Sequence, residues 1–198
     1  MYTATIGAMV FDHYVKFLGQ PADGVVFRIA EGSIQILTFP NVFPSCMTFC
    51  TLGFGPFSQR AGRGFHEVLM AVDAEPSEVP NLLAMTLLTA AENDLPIEEG
   101  ISLTGIASFA PNFVRVTRKE ALFFTDPFLL PRAFAEPHDG NLHAHILMAV
   151  PISRGEHEFV KLQGGAALVT ALAERDVDPL DVMRTSALSE QTRPGMSS

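Results

Sequence analysis

The sequence predicts a mixed α/β (α+β) fold, in which helices pack on a mixed β-sheet within a single domain. Its length of 198 residues suits one domain on the usual scale of roughly 100–200 residues per domain. Apolar segments typical of strands are interspersed with segments of helical periodicity. A run of strands precedes the first long helix, which departs from a regular βαβ winding. We expect residues 1–188 to form the domain and the polar tail 189–198 to be disordered.

The first third of the chain is predicted to hold a helix followed by strands. Residues 4–18 place apolar side chains at helical spacing and are followed by a glycine and a proline, which end a helix. Apolar runs typical of strands lie at 25–29, 33–39, 47–54 and 65–72. A turn at Glu31 and Gly32 joins the first two strands, and a polar loop at 58–64 precedes the fourth.

The fourth strand and the helix after it have the clearest patterns. Alternation along the strand puts one set of side chains on each face of the sheet. One set is Phe65, Glu67, Leu69 and Ala71, and the other is His66, Val68, Met70 and Val72. Residues 77–92 then place apolar side chains, among them Leu82, Leu83 and Leu87, at helical spacing. Pro80 is tolerated only in the first turn of a helix, so the helix begins near Ser77.

Three further strands and a broken helix are predicted in the second half. The strands lie at 101–106, 121–125 and 142–150, and the last is almost continuously apolar, which predicts a central position in the sheet. A proline-rich loop fills 127–139. Ser153 and Glu156 have the spacing of a capping box, so a helix should start there and run to about Arg175, with a break at two glycines. A further helical turn is predicted within 178–184.

Charge and hydropathy restrict the partners and the location. The formal net charge is −9, which argues against nucleic acid and anionic membranes, because both require a Lys/Arg surface. An acidic balance is compatible with a basic protein partner, although solubility alone is its more common reason. The sequence contains no run of about 18 apolar residues, which is the length that a membrane span requires. The N-terminus also lacks the pattern of a signal peptide. We therefore expect a cytoplasmic protein.

The two cysteines are predicted to be reduced thiols. Cys46 and Cys50 should lie along one strand, where four residues span about 13 Å. A disulfide requires Cα atoms within about 7 Å of each other. Two cysteines alone also cannot complete a structural zinc site.

Two histidines are the starting point for a candidate metal site. His143 and His145 alternate along a predicted strand and share a face with Asn141. The third ligand could be His66, His157 or Glu156, and nothing in the spacing selects one of these. Ordinary packing explains histidines at partly buried positions more often than a metal does. We therefore predict no metal site and no cofactor.

Signatures of nucleotide binding and catalysis are also missing from the sequence. Gly53 and Gly55 precede Pro56 with no helix predicted after them, so we interpret them as a turn at a strand end and not as a dinucleotide fingerprint. The chain has no Gly-x-Ser-x-Gly elbow. The carboxylates around Pro96 are interpreted as a solvated loop, and they are Glu92, Asp94, Glu98 and Glu99. No catalytic residue is predicted.

Several segments, in a consistent order between residues 48 and 188, resemble the suppressor of fused domain family. Thr51-Leu52-Gly53-Phe54 and the strand 65–72 resemble its Thr-x-Gly strand and its His-Glu-Val-Leu strand. Pro80-x-Leu82-Leu83 is similar to the start of its long helix, and Glu99-Gly100 to the start of its next strand. The C-terminal matches are Pro151-Ile152-Ser153-x-x-Glu156, residues 164–172, and Asp181-Val182-x-Arg184. The family often has Ser where this chain has Gly55, and residues up to about 43 give no match.

The resemblance implies a non-enzymatic domain that binds another protein, with no catalytic residue to carry over. In animals the family member binds a peptide of a transcription factor and carries an additional C-terminal domain. Compact versions are bacterial, and many are regarded as immunity proteins, or antitoxins, that neutralise a toxin. An acidic chain would suit a basic toxin. Two alternatives stay open, namely a regulatory partner of a cytoplasmic protein and a small metal-dependent or nucleophilic hydrolase built around His143 and His145. The sequence does not predict the binding surface.

Overall fold

The computed structural model describes residues 2–29, 32–60, 64–73 and 76–188. Its six helices are α1 (Tyr2–Leu18), α2 (Gly55–Arg60), α3 (Val79–Glu92), α4 (Pro111–Thr117), α5 (Arg154–Gln163) and α6 (Gly165–Glu174). Its strands are β1 (Asp23–Ile29), β2 (Gly32–Pro40), β3 (Met47–Leu52), β4 (His66–Val72), β5 (Ser102–Thr104), β6 (Ala121–Thr125), β7 (His138–Asp139), β8 (Leu142–His143) and β9 (His145–Ile152). Glu31 of the predicted turn and the predicted tail 189–198 lie outside the described residues.

Seven strands form one mixed sheet in the order β1-β2-β3-β4-β9-β6-β5. The pair β4 and β9 is parallel and the other neighbours are antiparallel. β9 lies between β4 and β6, so the central position predicted for this apolar segment is confirmed. β7 and β8 form a separate two-stranded hairpin.

Helices cover both faces of the sheet, and the core forms two clusters, one on each face. One cluster packs α1 and α6 on the face that carries Leu69 and Ala71 of β4. The other packs α3 on the face that carries Met70 and Val72. The alternation predicted for this strand is therefore confirmed, and so is the mixed α+β fold with helices packed on the sheet. Leu82, Leu83 and Leu87 of α3 are fully buried, as predicted.

Several local predictions are wrong. We predicted no helix after Gly53 and a loop from residue 58, but the residues after Gly53 form the short helix α2. The rings of Phe54 and Phe57 stack with their centroids 6.5 Å apart and support this turn. The strand predicted at 142–150 is two strands, because Ala144 interrupts it and β8 turns away to pair with β7. Residues 178–184 form turns and not a helical turn, held by the carboxylates of Asp178 and Asp181, which accept the amides of Leu180 and Met183.

The capping box at the start of α5 is confirmed. Ser153 Oγ accepts the amide of Glu156, and the Glu156 carboxylate accepts the amide of Ser153. The predicted break between α5 and α6 is also present, at Gly164 and Gly165. Gly165 packs so closely on Gly100 that an added Cβ would overlap the backbone there. Within the described ranges, no helix is both long and apolar enough to cross a membrane.

Both cysteines are buried free thiols, as predicted. Cys50 lies in β3, but Cys46 precedes that strand, so the prediction that both lie along one strand is wrong. Burial raises the pKa of the Cys46 thiol and raises that of Cys50 well above its usual value. The carboxylate charges of Asp73 and Asp178 act on Cys46 in the same direction. Burial therefore keeps both thiols in the protonated, weakly nucleophilic form.

Candidate functional site

A buried carboxylate, Glu67 of β4, organises the turn between β3 and α2. Its side chain has 0% exposure and accepts a hydrogen bond from Thr51 Oγ1 at 2.6 Å. The backbone amides of Gly53, Phe54 and Gly55 donate to the same carboxylate at 2.9, 3.2 and 3.1 Å. We call these five residues the Glu67 cradle. Successive amides that converge on one point form an anion-binding nest, and here the protein's own carboxylate occupies it.

The cradle is also tied to the neighbouring strand and to α1. Thr51 Oγ1 accepts the amide of Val68 at 2.8 Å, and the buried hydroxyl of Tyr14 donates to the Thr51 carbonyl at 3.0 Å. Burial raises the pKa of Glu67, and the hydrogen bonds from Thr51 and the turn amides only partly offset this effect. The glycines are therefore a structural turn, as predicted, and the amides that could hold a phosphate are already used.

Gly55 explains one departure from the family pattern. A Cβ at position 55 would overlap the ring of Phe65, which is itself buried against the core. Serine at this position therefore requires a smaller or displaced side chain at 65. Glycine at 55 and phenylalanine at 65 are consequently a matched pair in this chain.

A second buried carboxylate, Glu156 of α5, pairs with Arg184 near the end of the described chain. Arg184 Nη1 lies 2.6 Å from Glu156 Oε1, and both side chains are buried. Arg184 Nη2 donates to Oε2 at 3.3 Å, and the amide of Ala187 donates to Oε1 at 2.8 Å. Burial alone would raise the pKa of Glu156, but the hydrogen bond and charge of Arg184 outweigh it and lower that pKa.

Lys119 completes this second cluster. Its side chain is 1% exposed, and its Nζ donates to the Arg184 carbonyl at 2.7 Å. Burial, together with the neighbouring guanidinium, lowers the pKa of Lys119. We call Lys119, Glu156 and Arg184 the Glu156 cluster. It fastens the C-terminal segment to the end of β9 and to α5, so it has a structural position and no open face.

The predicted metal ligands do not form one cluster, although His145 and His66 are neighbours. The rings of His143 and His138 stack with their centroids 6.2 Å apart. The ring centroid of His145 lies 5.8 Å from that of His66, and His145 Nε2 lies 3.2 Å from Asp126 Oδ1. The shared face predicted for His143 and His145 is therefore wrong, because the strand is broken between them. Among the residues that the structure describes, no three His, Cys, Asp or Glu side chains are placed to hold a metal ion.

The two remaining candidates have other contacts. Glu156 is held by Arg184, and His157 Nδ1 lies 2.8 Å from Ser102 Oγ of β5. This is a serine–histidine pair, but its histidine is buried between helix and sheet edge, and burial lowers its pKa. The carboxylates around Pro96 are exposed, which agrees with the predicted solvated loop.

An open apolar cleft lies beside α6, where β6 and β9 meet the loop after β6. Its volume is about 220 Å³. Its lining consists of apolar side chains and one threonine, and they are Phe123, Thr125, Phe128, Val150, Val169, Leu172, Ala173, Val177 and Pro179. Phe128 is 52% exposed and Val169 is 42% exposed, so the rim of this α6 cleft presents large apolar side chains to solvent. Exposed apolar side chains of this kind make the cleft suited to bind another molecule.

A larger cleft of about 390 Å³ lies between α4 and the C-terminal segment, near Val116 and Met183. Three of its polar side chains already make hydrogen bonds, since Thr117 Oγ1 donates to the Phe113 carbonyl and Asn112 bonds to Glu78. The Glu78 carboxylate accepts hydrogen bonds from the Asn112 side chain and the Phe113 amide. A ligand would therefore find few polar groups that converge on the space.

One segment of the sequence indicates the α6 cleft, although its periodicity predicts only a loop. Phe128-Leu129-Leu130 stands between Pro127 and Pro131 in a loop predicted on proline content. Large apolar residues between two prolines cannot join a helix or an inner strand, so some of them must reach the surface. Phe128 and Leu129 do, with 52% and 42% exposure.

Comparison with known proteins identifies the family and the fold. A family model described as suppressor of fused protein (SUFU) matches residues 31–185. A suppressor of fused homolog from Neisseria gonorrhoeae FA 1090 superposes with a TM-score of 0.72 at 18% identity, over 94% of this chain and 99% of that one. A chain of the Sufu–Fu complex gives 0.67 at 12% identity, over 92% and 91%. Drosophila Suppressor of Fused gives 0.63 at 12% identity, over 90% of this chain but 50% of that one.

These structural likenesses, at 12–18% identity, show the fold alone. No curated protein matches the sequence. The family match covers most of the chain. It includes the Glu67 cradle and Arg184 of the Glu156 cluster. Within the matched segments, Thr51, Glu67, Glu156 and Arg184 are buried and hydrogen-bonded inside the fold. The chain belongs to the suppressor of fused protein family.

Proposed function

We propose that the protein is a non-enzymatic module that binds another protein. The observation that carries this proposal is the exposed apolar surface of the α6 cleft, at Phe128 and Val169. Apolar surface of this kind, next to polar residues, is typical of sites where proteins associate. Family membership supports the same function, and one related structure is a complex of Sufu with Fu.

The placement of the ionisable groups supports a binding role over catalysis. An acid–base pair needs side chains that face a space where substrate can enter. Glu67 and Glu156 instead face donors within the fold, and Arg184 faces Glu156. Among the residues that line the α6 cleft, none is ionisable.

The more specific role we propose is neutralisation of a basic toxin. The net charge of −9 supports it, because an acidic surface raises the association rate with a basic partner. The alternative partner is a cytoplasmic protein unrelated to toxins. A toxin gene beside the gene for this chain, whose product arrests growth unless the two are co-expressed, would favour the first role. Growth arrest that co-expression leaves unchanged would reject it.

The binding function is tested by capture and reconstitution. The tagged protein is used to capture a partner from its source cells, and the complex is then rebuilt from purified components. Calorimetry should give a fixed stoichiometry, and the association rate should fall with salt as the Debye length shortens from about 10 Å at 0.1 M to about 3 Å at 1 M. Progressive inactivation of excess partner by substoichiometric protein would reject the binding module and favour an enzyme.

A further inference from the structure

Exposed acidic residues adjoin the lining of the α6 cleft along the chain. Glu174, Asp176 and Asp178 each lie within one residue of a lining residue, and we call these three the acidic rim. Asp126 also adjoins the lining, but its carboxylate lies 3.2 Å from His145 Nε2. Arg175 is the one basic residue among positions 172–180. An apolar cleft with this rim is complementary to an apolar side chain that has cations beside it.

We propose that the α6 cleft is the docking site for a partner segment that inserts one large apolar side chain and carries Lys or Arg residues next to it. This inference rests on the proposed protein-binding function and names the surface and the partner's chemistry. The volume of about 220 Å³ is smaller than the roughly 300–1,000 Å³ of typical small-molecule sites, which favours a side chain over a metabolite.

The acidic residues at the C-terminal end of α6 oppose the stability of that helix. Glu174 is the last residue of α6, and Asp176 follows the helix end closely. The C-terminal end of a helix has partial negative charge, so carboxylates there are unfavourable and cations are favourable. The helix therefore gains nothing from Glu174 and Asp176 in the free protein. A basic ligand would relieve the repulsion, which is the arrangement expected when charge is present for binding.

The rim is also preformed. The amide of Val177 donates to the Leu172 carbonyl and that of Asp176 to the Ala173 carbonyl, both at 3.1 Å. The Asp178 carboxylate accepts the amide of Leu180 at 2.8 Å. These bonds fix the turn after α6, so a partner would spend little free energy on ordering it.

A competing surface exists at the sheet edge. β1 is one of the two edge strands, and its Val25 and Val26 are exposed. No described residue pairs with its outer side, so a partner strand could add to it. Strand addition depends on backbone hydrogen bonds, whereas docking in the α6 cleft depends on one apolar side chain and on basic charge. The two surfaces therefore predict different responses to the same peptides.

The probes are short synthetic peptides with one Phe or Leu between lysines and arginines. One control set has Ala in place of the apolar residue, and a second has Glu in place of the basic residues. Fluorescence polarisation measures affinity, and amide chemical shifts of the isotope-labelled protein locate the site. We expect saturable binding of the basic, anchored peptides alone, with shifts at residues 123–128 and 169–179, and weaker binding as salt rises.

Matched variants separate the contributions of the apolar wall and the acidic rim. Val169→Ala and Phe128→Ala should each weaken peptide binding about tenfold, as anchor contacts usually do. Leu162→Ala, at the 78% exposed Leu162 of α5, should leave affinity unchanged. The double variant Glu174→Gln/Asp176→Asn should weaken binding and its salt dependence, while its melting temperature stays equal or rises. A purely structural role for these carboxylates would lower the melting temperature instead.

Three results would overturn the proposal. Shifts confined to β1, with equal affinity for the cleft variants, would move the site to the sheet edge and leave a protein-binding function intact. Equal binding of the basic and acidic peptides would reject the charge complementarity. No saturable binding of any peptide would reject the α6 cleft as a site for such segments, and the partner capture described above would then decide separately whether the protein is a binding module.

Discussion

Glu67 and Glu156 are both carboxylates with 0% exposure, yet the protein stabilises them in opposite ways. Glu67 is surrounded by uncharged donors that lie within 16 positions of it in the sequence. Glu156 is paired with the guanidinium of Arg184, 28 positions away. The pKa of Glu67 is raised by burial, and that of Glu156 is lowered by its cationic partner.

The difference reflects what each carboxylate holds together. The Glu67 cradle closes a local strand–turn–helix unit, where backbone amides are close enough to replace water. The Glu156 cluster fastens a distant C-terminal segment, where a charged pair with fixed geometry supplies the attraction. A buried pair is weak evidence for stability as a whole, but removing one partner leaves a charge that nothing compensates. The two sites should therefore respond differently to substitution.

The largest effect is expected from Arg184→Met. The substitution leaves the Glu156 carboxylate buried with only backbone and capping donors, so the free energy of unfolding should fall by about 3–5 kcal/mol. Urea denaturation measures the change, and Arg175→Met is the control because Arg175 is exposed. A loss below about 1 kcal/mol, the range of surface pairs, would show that the pair is not buried in solution.

A smaller effect is expected from Thr51→Val in the Glu67 cradle. Valine removes the hydroxyl that donates to Glu67 and accepts the Val68 amide, so unfolding should become easier by about 1–3 kcal/mol. β3 offers a matched control at Thr48, which is equally buried and whose hydroxyl has no partner among the described atoms. Thr48→Val should be neutral or stabilising. Equal losses for both variants would show that the cradle bonds contribute no more than side-chain shape.

The sequence predicted the parts of the fold that depend on local pattern. The two faces of β4, the start of α3 near Pro80, and the capping box at Ser153 each follow from residues that are close in the chain. The prediction for residues 142–150 failed where pairing with another strand decides the structure. Ala144 interrupts a continuous apolar run because residues 142–143 pair with β7, and no periodicity reports such a pairing.

The candidate site was less predictable for the same reason. The α6 cleft combines Phe123 of β6, Val150 of β9 and Val169 of α6, which only the folded topology brings together. The Glu67 cradle also needed the structure, although Thr51 and Gly53 stand in a segment whose resemblance to the family was evident. Sequence resemblance marked these positions, and the structure supplied their physical role as donors to a buried carboxylate.

The smallest expected effect is on the pH dependence of stability, which should have opposite signs at Glu67 and Glu156. This effect is also the most specific to the comparison of the two carboxylates. A carboxyl whose pKa is raised on folding contributes stability that is present in acid and lost as the pH rises through its folded pKa. A carboxyl whose pKa is lowered contributes stability that is present near neutral pH and lost as the pH falls through its folded pKa. The unfolded reference is about 4.5 for both.

The test compares the wild type with Glu67→Gln and Glu156→Gln by urea denaturation over a series of pH values. The stability advantage of the wild type over Glu67→Gln should shrink as the pH rises above about 4.5, because the protonated form of Glu67 is favoured in the folded state. Its advantage over Glu156→Gln should shrink as the pH falls below about 4.5, because Arg184 favours the ionised form. Each variant is the control for the other, since both replace a buried carboxyl by an amide of equal size. Two advantages that change in the same direction would mean that the neutral donors of the cradle stabilise a charge as well as the guanidinium does.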